Sequence, residues 1–174
     1  MATWNVDSLH SDVQFKVKHL MINTVTGEFT SYSVTVESEK EDFSDASIVF
    51  EADVNSISTK NDMRDGHLKS EDFFAAETYP KMRFVSTAFS PKGDGRYDLT
   101  GDLTIRDVTK SVALSAEYGG QMVDFYGNTK AGFEISGTIN RKEFGLAWDA
   151  VTEAGGIVVS DAVKLILNIQ LQKS

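Results

Sequence analysis

Apolar and polar residues alternate with a period of two over most of this 174-residue chain. Such alternation is typical of β-strands that have one apolar face and one solvated face. The clear runs cover 13–17, 32–36, 48–54, 97–105, 112–118, 131–139 and 163–171. An eighth run at 82–89 is ambiguous, because Met82 and Phe84 share one parity whereas Val85 and Phe89 share the other. The pattern therefore predicts an all-β fold of roughly eight antiparallel strands.

The predicted strands must bury one continuous apolar face, either in a closed barrel or in a two-sheet sandwich. The alternation alone does not choose between these architectures. Gly101 and Gly137 lie on the apolar parity of their strands. Glycine at such a position marks a bend in a closing sheet or a close approach to the backbone, and both uses favour a barrel. The charged stretch 37–45 is interpreted as a solvated loop.

One polar segment, NDMRDGHLKSEDFF at 61–74, interrupts the alternation. Asn61 or Asp62 is suited to cap a short helix. Because Gly66 weakens such a helix, we expect only one or two helical turns in this insert. No other segment shows helical periodicity.

The chain carries a net charge of −9 and no cysteine. An acidic protein without a Lys/Arg block repels nucleic-acid phosphates, so no nucleic-acid partner is expected. The same sign disfavours attraction of the whole molecule to an anionic membrane. No run is long enough to span a bilayer, so stable membrane insertion is not expected. With no apolar leader before the first strand, the sequence predicts a soluble cytoplasmic protein, or a periplasmic one if a leader has been removed from the mature chain.

Sequence patterns for catalysis or metal binding are not found. His10, His19 and His67 lack the HxxxH or HxH spacing of a metal site, and there is no GxSxG motif or phosphate-binding glycine loop. His67 has Asp65 and Asp72 nearby in sequence, but a solvated surface pair explains this equally well. We therefore expect a protein that is not an enzyme and that needs no metal or cofactor.

Aromatic residues indicate what fills the predicted interior. Those on or beside the apolar strand faces are Phe15, Phe29, Phe50, Phe84, Phe133 and Trp148. An eight-stranded barrel has an interior just large enough for side chains or for one small ligand. The pattern leaves a packed core and an apolar pocket equally open. His19 shares the apolar parity, which predicts a buried histidine bonded to the backbone, or alternatively to the head group of a ligand.

Several short blocks resemble the YceI family when they are taken in order. They are W-x-V-D-x-x-H-S-x-V-x-F at 4–15, V-T-G-E-F at 25–29, R-D-x-H-L-x-S-x-D-F-F at 64–74, G-D-L-T-I-x-x-V-T-K at 101–110, N-R-x-x-F-G at 140–145 and V-x-D-x-V at 159–163. Each block alone is weak, but their joint order is specific. One departure is Asp107, which stands where the family usually has glycine and so affects the local turn.

The resemblance implies a lipocalin-like antiparallel barrel that forms one domain over residues 1–174. It implies a lengthwise apolar tunnel that binds a polyisoprenoid, a quinone tail or a fatty amide, for sequestration or transport, and it allows a homodimer. The insert would cap or line the mouth, with Met63, Leu68, Phe73 and Phe74 turned inward. Its Arg64, Asp65 and His67 would hold the mouth closed by mutual hydrogen bonds. The alternative is a filled barrel that acts as an interaction or stress-response protein without a lipid.

Candidate ligand-binding residues combine the inward parity with the implied mouth of the tunnel. They are Phe15, Val17, His19, Phe29, Phe50, Met63, Leu68, Phe73, Phe84, Leu103, Phe133, Ile135, Trp148 and Leu165. The sequence does not identify the lipid, its head group or the pathway that it serves.

Overall fold

Eight antiparallel strands close into a barrel in the computed structural model, which describes residues 2–20, 22–146 and 159–174. Three of these strands are bent into two segments each. The segments are β1 (Ala2–Val6) with β2 (Asp12–His19), β3 (Asn23–Phe29) with β4 (Tyr32–Ser38), and β5 (Ser47–Asp53) with β6 (Ile57–Ser58). The remaining strands are β7 (Lys81–Gly93), β8 (Arg96–Ile105), β9 (Val108–Val123), β10 (Thr129–Asn140) and β11 (Ala162–Lys173). The predicted fold class is confirmed.

The ring closes through β1, which pairs with β4 on one side and with β11 on the other. From β4 the sheet continues in the order β5, β7, β8, β9, β10 and β11. Strand β11 also pairs with β2, for example at Leu165↔Phe15, so it follows both segments of the first bent strand. From β2 the sheet continues through β3 to β6. Because the ring through β1 is closed, the apolar faces of the strands share one interior.

The bend between β1 and β2 is formed by a 3₁₀ turn at Ser8–His10, and Asp7 organises it. The Asp7 carboxylate accepts hydrogen bonds from the backbone N–H of Leu9 (3.2 Å) and from Lys130 Nζ (2.7 Å). The Nδ1 atom of His10 lies 2.9 Å from the same carboxylate. Ser11 Oγ donates to the Asp7 carbonyl (2.8 Å). The D-x-x-H-S block therefore has a structural role, which is to hold this corner of the barrel.

A β-bulge in β7 explains the mixed parity of the ambiguous run. The register of β7 against β8 shifts between Ser86 and Ala88. One extra residue reverses which side chains face inward. Met82 and Phe84 are therefore buried before the bulge, and Phe89 is buried after it.

One end of the barrel is closed by an aromatic cluster that is centred on Phe43. This residue lies in the charged loop between β4 and β5, yet it is only 1% exposed. Its ring lies 5.1 Å from that of Trp4, 5.1 Å from that of Phe133 and 5.5 Å from that of Tyr118, measured between centroids. The solvated-loop interpretation is therefore wrong at Phe43, which folds back into the barrel because burial of its ring outweighs its left-handed backbone (φ 60°).

Backbone carbonyls of the same loop are held by side chains from the barrel. The hydroxyl of Tyr97 donates to the Asp42 carbonyl, and Gln121 Nε2 donates to the Glu41 carbonyl (3.1 Å). The Asp45 carboxylate accepts from Ser38 Oγ (2.6 Å) and from the N–H of Glu39 (2.8 Å), and these bonds lower the pKa of Asp45 from 3.8 to about 2. The loop is thus fixed across this end of the barrel.

Replacing Phe43 with alanine is expected to lower the free energy of unfolding by about 3–5 kcal/mol, because it leaves a cavity among packed rings. Urea denaturation of the purified variant measures the loss. Phe125→Ala is the matched control, since Phe125 is fully exposed and its removal should change stability by less than about 0.5 kcal/mol. Equal effects of the two substitutions would contradict the assignment of Phe43 to the core.

Stability is expected to depend on Asp7 at acid pH. Hydrogen bonds from Lys130 and His10 lower the pKa of Asp7 from 3.8 to about 2. Because the pKa is lower in the folded state, ionised Asp7 stabilises the fold above pH 3.8, and this contribution disappears as the pH falls toward 2. The difference in unfolding free energy between the wild type and Asp7→Asn should therefore shrink across this window. Asp45 titrates in the same window in both proteins, so a difference that does not vary with pH would contradict the role of Asp7.

Candidate functional site

An apolar cavity of about 710 Å³ occupies the barrel interior on the side away from the Phe43 cluster. Side chains from both β2 and the facing strands β7, β8 and β9 line it. Several of them remain partly accessible although they lie on the inward parity: Phe15, Val17, Phe50, Leu114, Ile135 and Leu165. A filled core would bury these residues completely, so the interior is hollow at this end.

Most of the candidate residues line this cavity. They are Phe15, Val17, His19, Phe29, Phe50, Met63, Leu68, Phe73, Phe84, Leu103, Ile135 and Leu165. Contact with a ligand remains a prediction for each of them. Trp148 lies outside the described residues.

Phe133 does not lie among the described residues that line the cavity, and its contact with a ligand remains a prediction. Phe133 and Ile135 are successive inward residues of β10, and Phe133 is the one nearer to the closed end of the barrel. There its ring lies 5.0 Å from that of Tyr118 and 5.1 Å from that of Phe43. Inward parity therefore identified its face correctly but not its position along the barrel axis.

Further lining residues share the same inward parity and were not among the candidates. They include Val25, Leu99, Val112, Leu114, Ile139 and Leu167. The alternation of their strands was the signal that would have identified them. Arg141 also lines the cavity. Apolar alternation could not have identified it, because a charged residue does not contribute to that pattern.

Glycines on the cavity wall determine where the larger side chains lie. A Cβ atom added to Gly27 would come within 2.2 Å of the Phe15 ring, and one added to Gly101 within 2.4 Å of the Phe84 ring. Each ring therefore lies against the wall, over the backbone of the neighbouring strand, instead of pointing into the interior. Inward glycine was expected to mark either a bend in the sheet or a close approach to the backbone. At Gly101 it is the close approach of the Phe84 ring that is seen. This arrangement keeps the interior open while it still covers the glycine backbone.

The insert begins with helix α1 (Asp62–Lys69), which Asn61 caps by accepting from the N–H of Arg64 (3.1 Å). Asp65 is buried and accepts from the N–H (2.8 Å) and the Oγ1 (2.5 Å) of Thr59. Arg64 Nε donates to the same Thr59 Oγ1 (2.8 Å). The expected hydrogen bonding between Arg64 and Asp65 therefore runs through Thr59. Thr59 ties the first turn of the helix to the strand before it.

The expected inward orientation of Met63 is wrong, because its side chain is 88% exposed. The buried contact of Asp65 sets the rotation of α1. Met63 lies two residues before Asp65, and two residues correspond to a rotation of roughly 200° about the helix axis. Met63 must therefore face away from that contact. It lines the outer rim of the cavity, so it marks the mouth and not the interior.

Phe73 anchors the remainder of the insert over the mouth. It is 5% exposed, and its ring lies 5.2 Å from that of His67 and 6.0 Å from the guanidinium of Arg141. His67 Nε2 lies 2.9 Å from Asp72 Oδ2, so this histidine is held within the insert. The next residue, Phe74, packs edge-on against Phe29 at 6.1 Å. The insert therefore covers the mouth with aromatic contacts.

Arg141 is 3% exposed and holds the start of β11 against the end of β10. Its Nε donates to the Ser160 carbonyl (2.9 Å), and its terminal nitrogens donate to the carbonyls of Leu146 (2.6 Å) and Val159 (3.2 Å). Asp161 lies 3.8 Å from the same guanidinium. These contacts satisfy a charge that would otherwise be costly to bury at the cavity wall.

Arg106 joins the β8–β9 turn to the insert. Its terminal nitrogen donates to the carbonyls of Phe73 and Gly145, each at 3.2 Å. Arg106 is also the residue of this turn with a left-handed backbone (φ 55°). Asp107 therefore occupies a position that does not require glycine, and its departure from the family pattern leaves the turn intact.

His19 lines the cavity, and its ring makes no hydrogen bond to any residue that the structure describes. It is half-buried, because the cavity itself leaves one side open. The expected bond to the backbone is therefore not formed by the described residues. This leaves the imidazole as a donor or acceptor that faces the interior near the mouth.

Within the described ranges, no group of three or more histidine, cysteine or acidic residues is arranged to hold a metal ion. The same part of the chain contains no helix with the length and apolarity needed to cross a membrane.

Comparisons with known proteins identify relatives over nearly the whole chain. UPF0312 proteins of Staphylococcus aureus and Staphylococcus epidermidis are 34% and 35% identical over 165 residues, which is 94% of each chain. The solved YceI protein of Campylobacter jejuni is 33% identical, with a TM-score of 0.77 and coverage of 97% of this chain and 96% of that one. BcnA of Burkholderia cenocepacia is 25% identical, with a TM-score of 0.83 over 95% and 98% of the two chains.

A more distant structure, a polyisoprenoid-binding domain from Saccharophagus degradans, shares the fold with a TM-score of 0.75 at 15% identity. It covers 98% of both chains. The sequence model of the YceI-like domain family matches residues 4–171, which confirms the resemblance seen in the sequence blocks. The chain therefore belongs to the YceI-like domain family.

Proposed function

We propose that this protein binds the long apolar chain of a lipid inside the barrel, and that it sequesters or carries this chain through water. The observation that carries the proposal is the hollow apolar cavity of about 710 Å³, which lies within the range of roughly 300–1,000 Å³ typical of ligand pockets. A polyisoprenoid, a quinone tail or a fatty amide has the required chemistry. The name of the Saccharophagus degradans domain, which shares the fold, supports the first of these.

Apolar burial alone can hold such a ligand. About ten buried methylenes at ~0.8 kcal/mol each give ~8 kcal/mol before the cost of association, which corresponds to near-micromolar affinity. A longer isoprenoid chain offsets that cost. A tunnel whose affinity comes from buried apolar area tolerates variation in the length of the lipid chain. We therefore expect it to bind a class of lipids and not one compound alone.

Polar groups lie near the mouth, where a head group would remain. His19 faces the interior there, and Thr59 and Arg64 line the same rim. The barrel needs no bond-making step for this role, so we propose a binding protein and not an enzyme. Release would follow opening of the insert, whose helix is tied to the barrel wall through the hydrogen bonds of Thr59.

Filling the cavity should abolish uptake without unfolding the protein. Ile135→Trp places an indole in the interior, and we expect the affinity for geranylgeraniol, measured by tryptophan quenching or calorimetry, to fall at least about tenfold. Glu134→Trp is the matched control, because Glu134 is next to Ile135 on β10 but is exposed and faces outward. Equal affinities of the two variants, with both of them folded, would count against the tunnel.

Gly27→Ala is a smaller change to the cavity wall, since it adds one methyl group beside the Phe15 ring. The added methyl group displaces the Phe15 ring into the interior, so we expect the longest isoprenoids to bind several-fold more weakly and short ones to be affected less. Gly66→Ala is the control, since a Cβ at this exposed helix position meets nothing within 4 Å and should stabilise α1 by up to about 1 kcal/mol. Unchanged dependence on chain length in Gly27→Ala would contradict the role assigned to this glycine.

A further inference from the structure

An exposed apolar lip lies at the mouth of the cavity. We define the lip as Leu20, Ile22 and Met63, which are 40%, 85% and 88% exposed. Leu20 and Ile22 belong to the connection between β2 and β3, where the N–H of Ile22 donates to the His19 carbonyl (3.3 Å). Met63 lies on α1, and it lines the same cavity as His19. The lip therefore adjoins the apolar interior at Met63 and at His19, which precedes Leu20.

Among the described residues that neighbour the lip in sequence, most charges are positive, although the whole chain is acidic. Lys18 and Lys60 are exposed and form no ion pair with any residue in the described ranges, and Arg64 is exposed next to Met63. Asp62 is the exposed acid among them, whereas Asp65 is buried against Thr59. Lysines that flank an apolar surface suit the phosphates of lipid head groups, and their stems extend along the interface.

A second exposed apolar surface lies at the opposite end of the barrel. We define the tip as Met122, Val123, Phe125 and Tyr126, which are 72%, 61%, 105% and 89% exposed. It adjoins the acidic loop between β4 and β5, to which Gln121 is bonded at the Glu41 carbonyl. The Phe43 cluster separates this end from the cavity. The tip thus lies beside negative charge, and none of its four residues lines the cavity.

We propose that the lip is a docking surface for a lipid bilayer and that the cargo crosses it between the bilayer and the cavity. Docking is shallow and reversible, because three apolar side chains bury little area and the net charge of −9 opposes close approach. The acidic closed end turns away from an anionic surface, which presents the mouth to it. A lipid chain that leaves the bilayer at Met63 then enters the cavity without crossing water. This inference rests on the proposed function.

Flotation with vesicles tests the docking surface. The wild type should float with vesicles of phosphatidylcholine and phosphatidylglycerol, more weakly with phosphatidylcholine alone, and less as salt is added. The double variant Leu20→Asp/Ile22→Asp should lose about tenfold or more of this binding, since both side chains are exposed and neither lines the cavity. The matched control Phe125→Asp/Tyr126→Asp should float like the wild type.

Two further measurements separate docking from cargo binding. Affinity for geranylgeraniol added without vesicles should be equal in the wild type and the lip variant, whereas the transfer of geranylgeraniol from vesicles to the protein should be several-fold slower in the lip variant. A wild type that does not float, or a tip variant that alone loses flotation, would overturn the docking proposal. A wild type that floats normally but binds no geranylgeraniol would instead refute the proposed function.

Discussion

The contact between large side chains and glycine on the barrel wall determines whether this interior is filled or hollow. Eight strands enclose a space that ordinary core residues can just fill. Here Phe15 lies over Gly27 and Phe84 lies over Gly101, so two of the largest inward side chains occupy the wall instead of the interior. The cavity exists because these rings are held aside. The proposed binding of an apolar chain depends on that arrangement.

The two ends of the barrel are built differently, and this difference gives the cavity a direction. At one end Phe43 packs among Trp4, Tyr118 and Phe133, and hydrogen bonds to its loop hold it there. At the other end the insert covers the mouth through Phe73 and through polar bonds to Thr59. Hydrogen bonds at an accessible rim open more readily than a packed aromatic cluster, so exchange of a ligand is expected at the insert.

Alternation predicted the inward face of nearly every strand, and the Asn61 cap predicted the helix, because both signals are local in sequence. Position along the barrel axis is not local, so the sequence did not separate Phe133 in the closed end from Ile135 in the cavity. The burial of Phe43 depends on how a loop crosses the end of a closed ring, and a single apolar residue among charges does not signal it. The outward rotation of Met63 likewise follows from a tertiary contact of Asp65 with Thr59.

The most direct test of the central claim is native mass spectrometry of the purified protein, combined with mass spectrometry of its organic extract. A lipid-binding barrel should carry one bound molecule per chain, which the extract identifies as a lipid with a long apolar chain, or it should be empty and take up one molecule of an added isoprenoid. A protein that is empty as purified and that also refuses added octaprenyl and fatty-amide ligands would contradict it. The barrel would then be better explained as an interaction protein whose cavity has no lipid occupant.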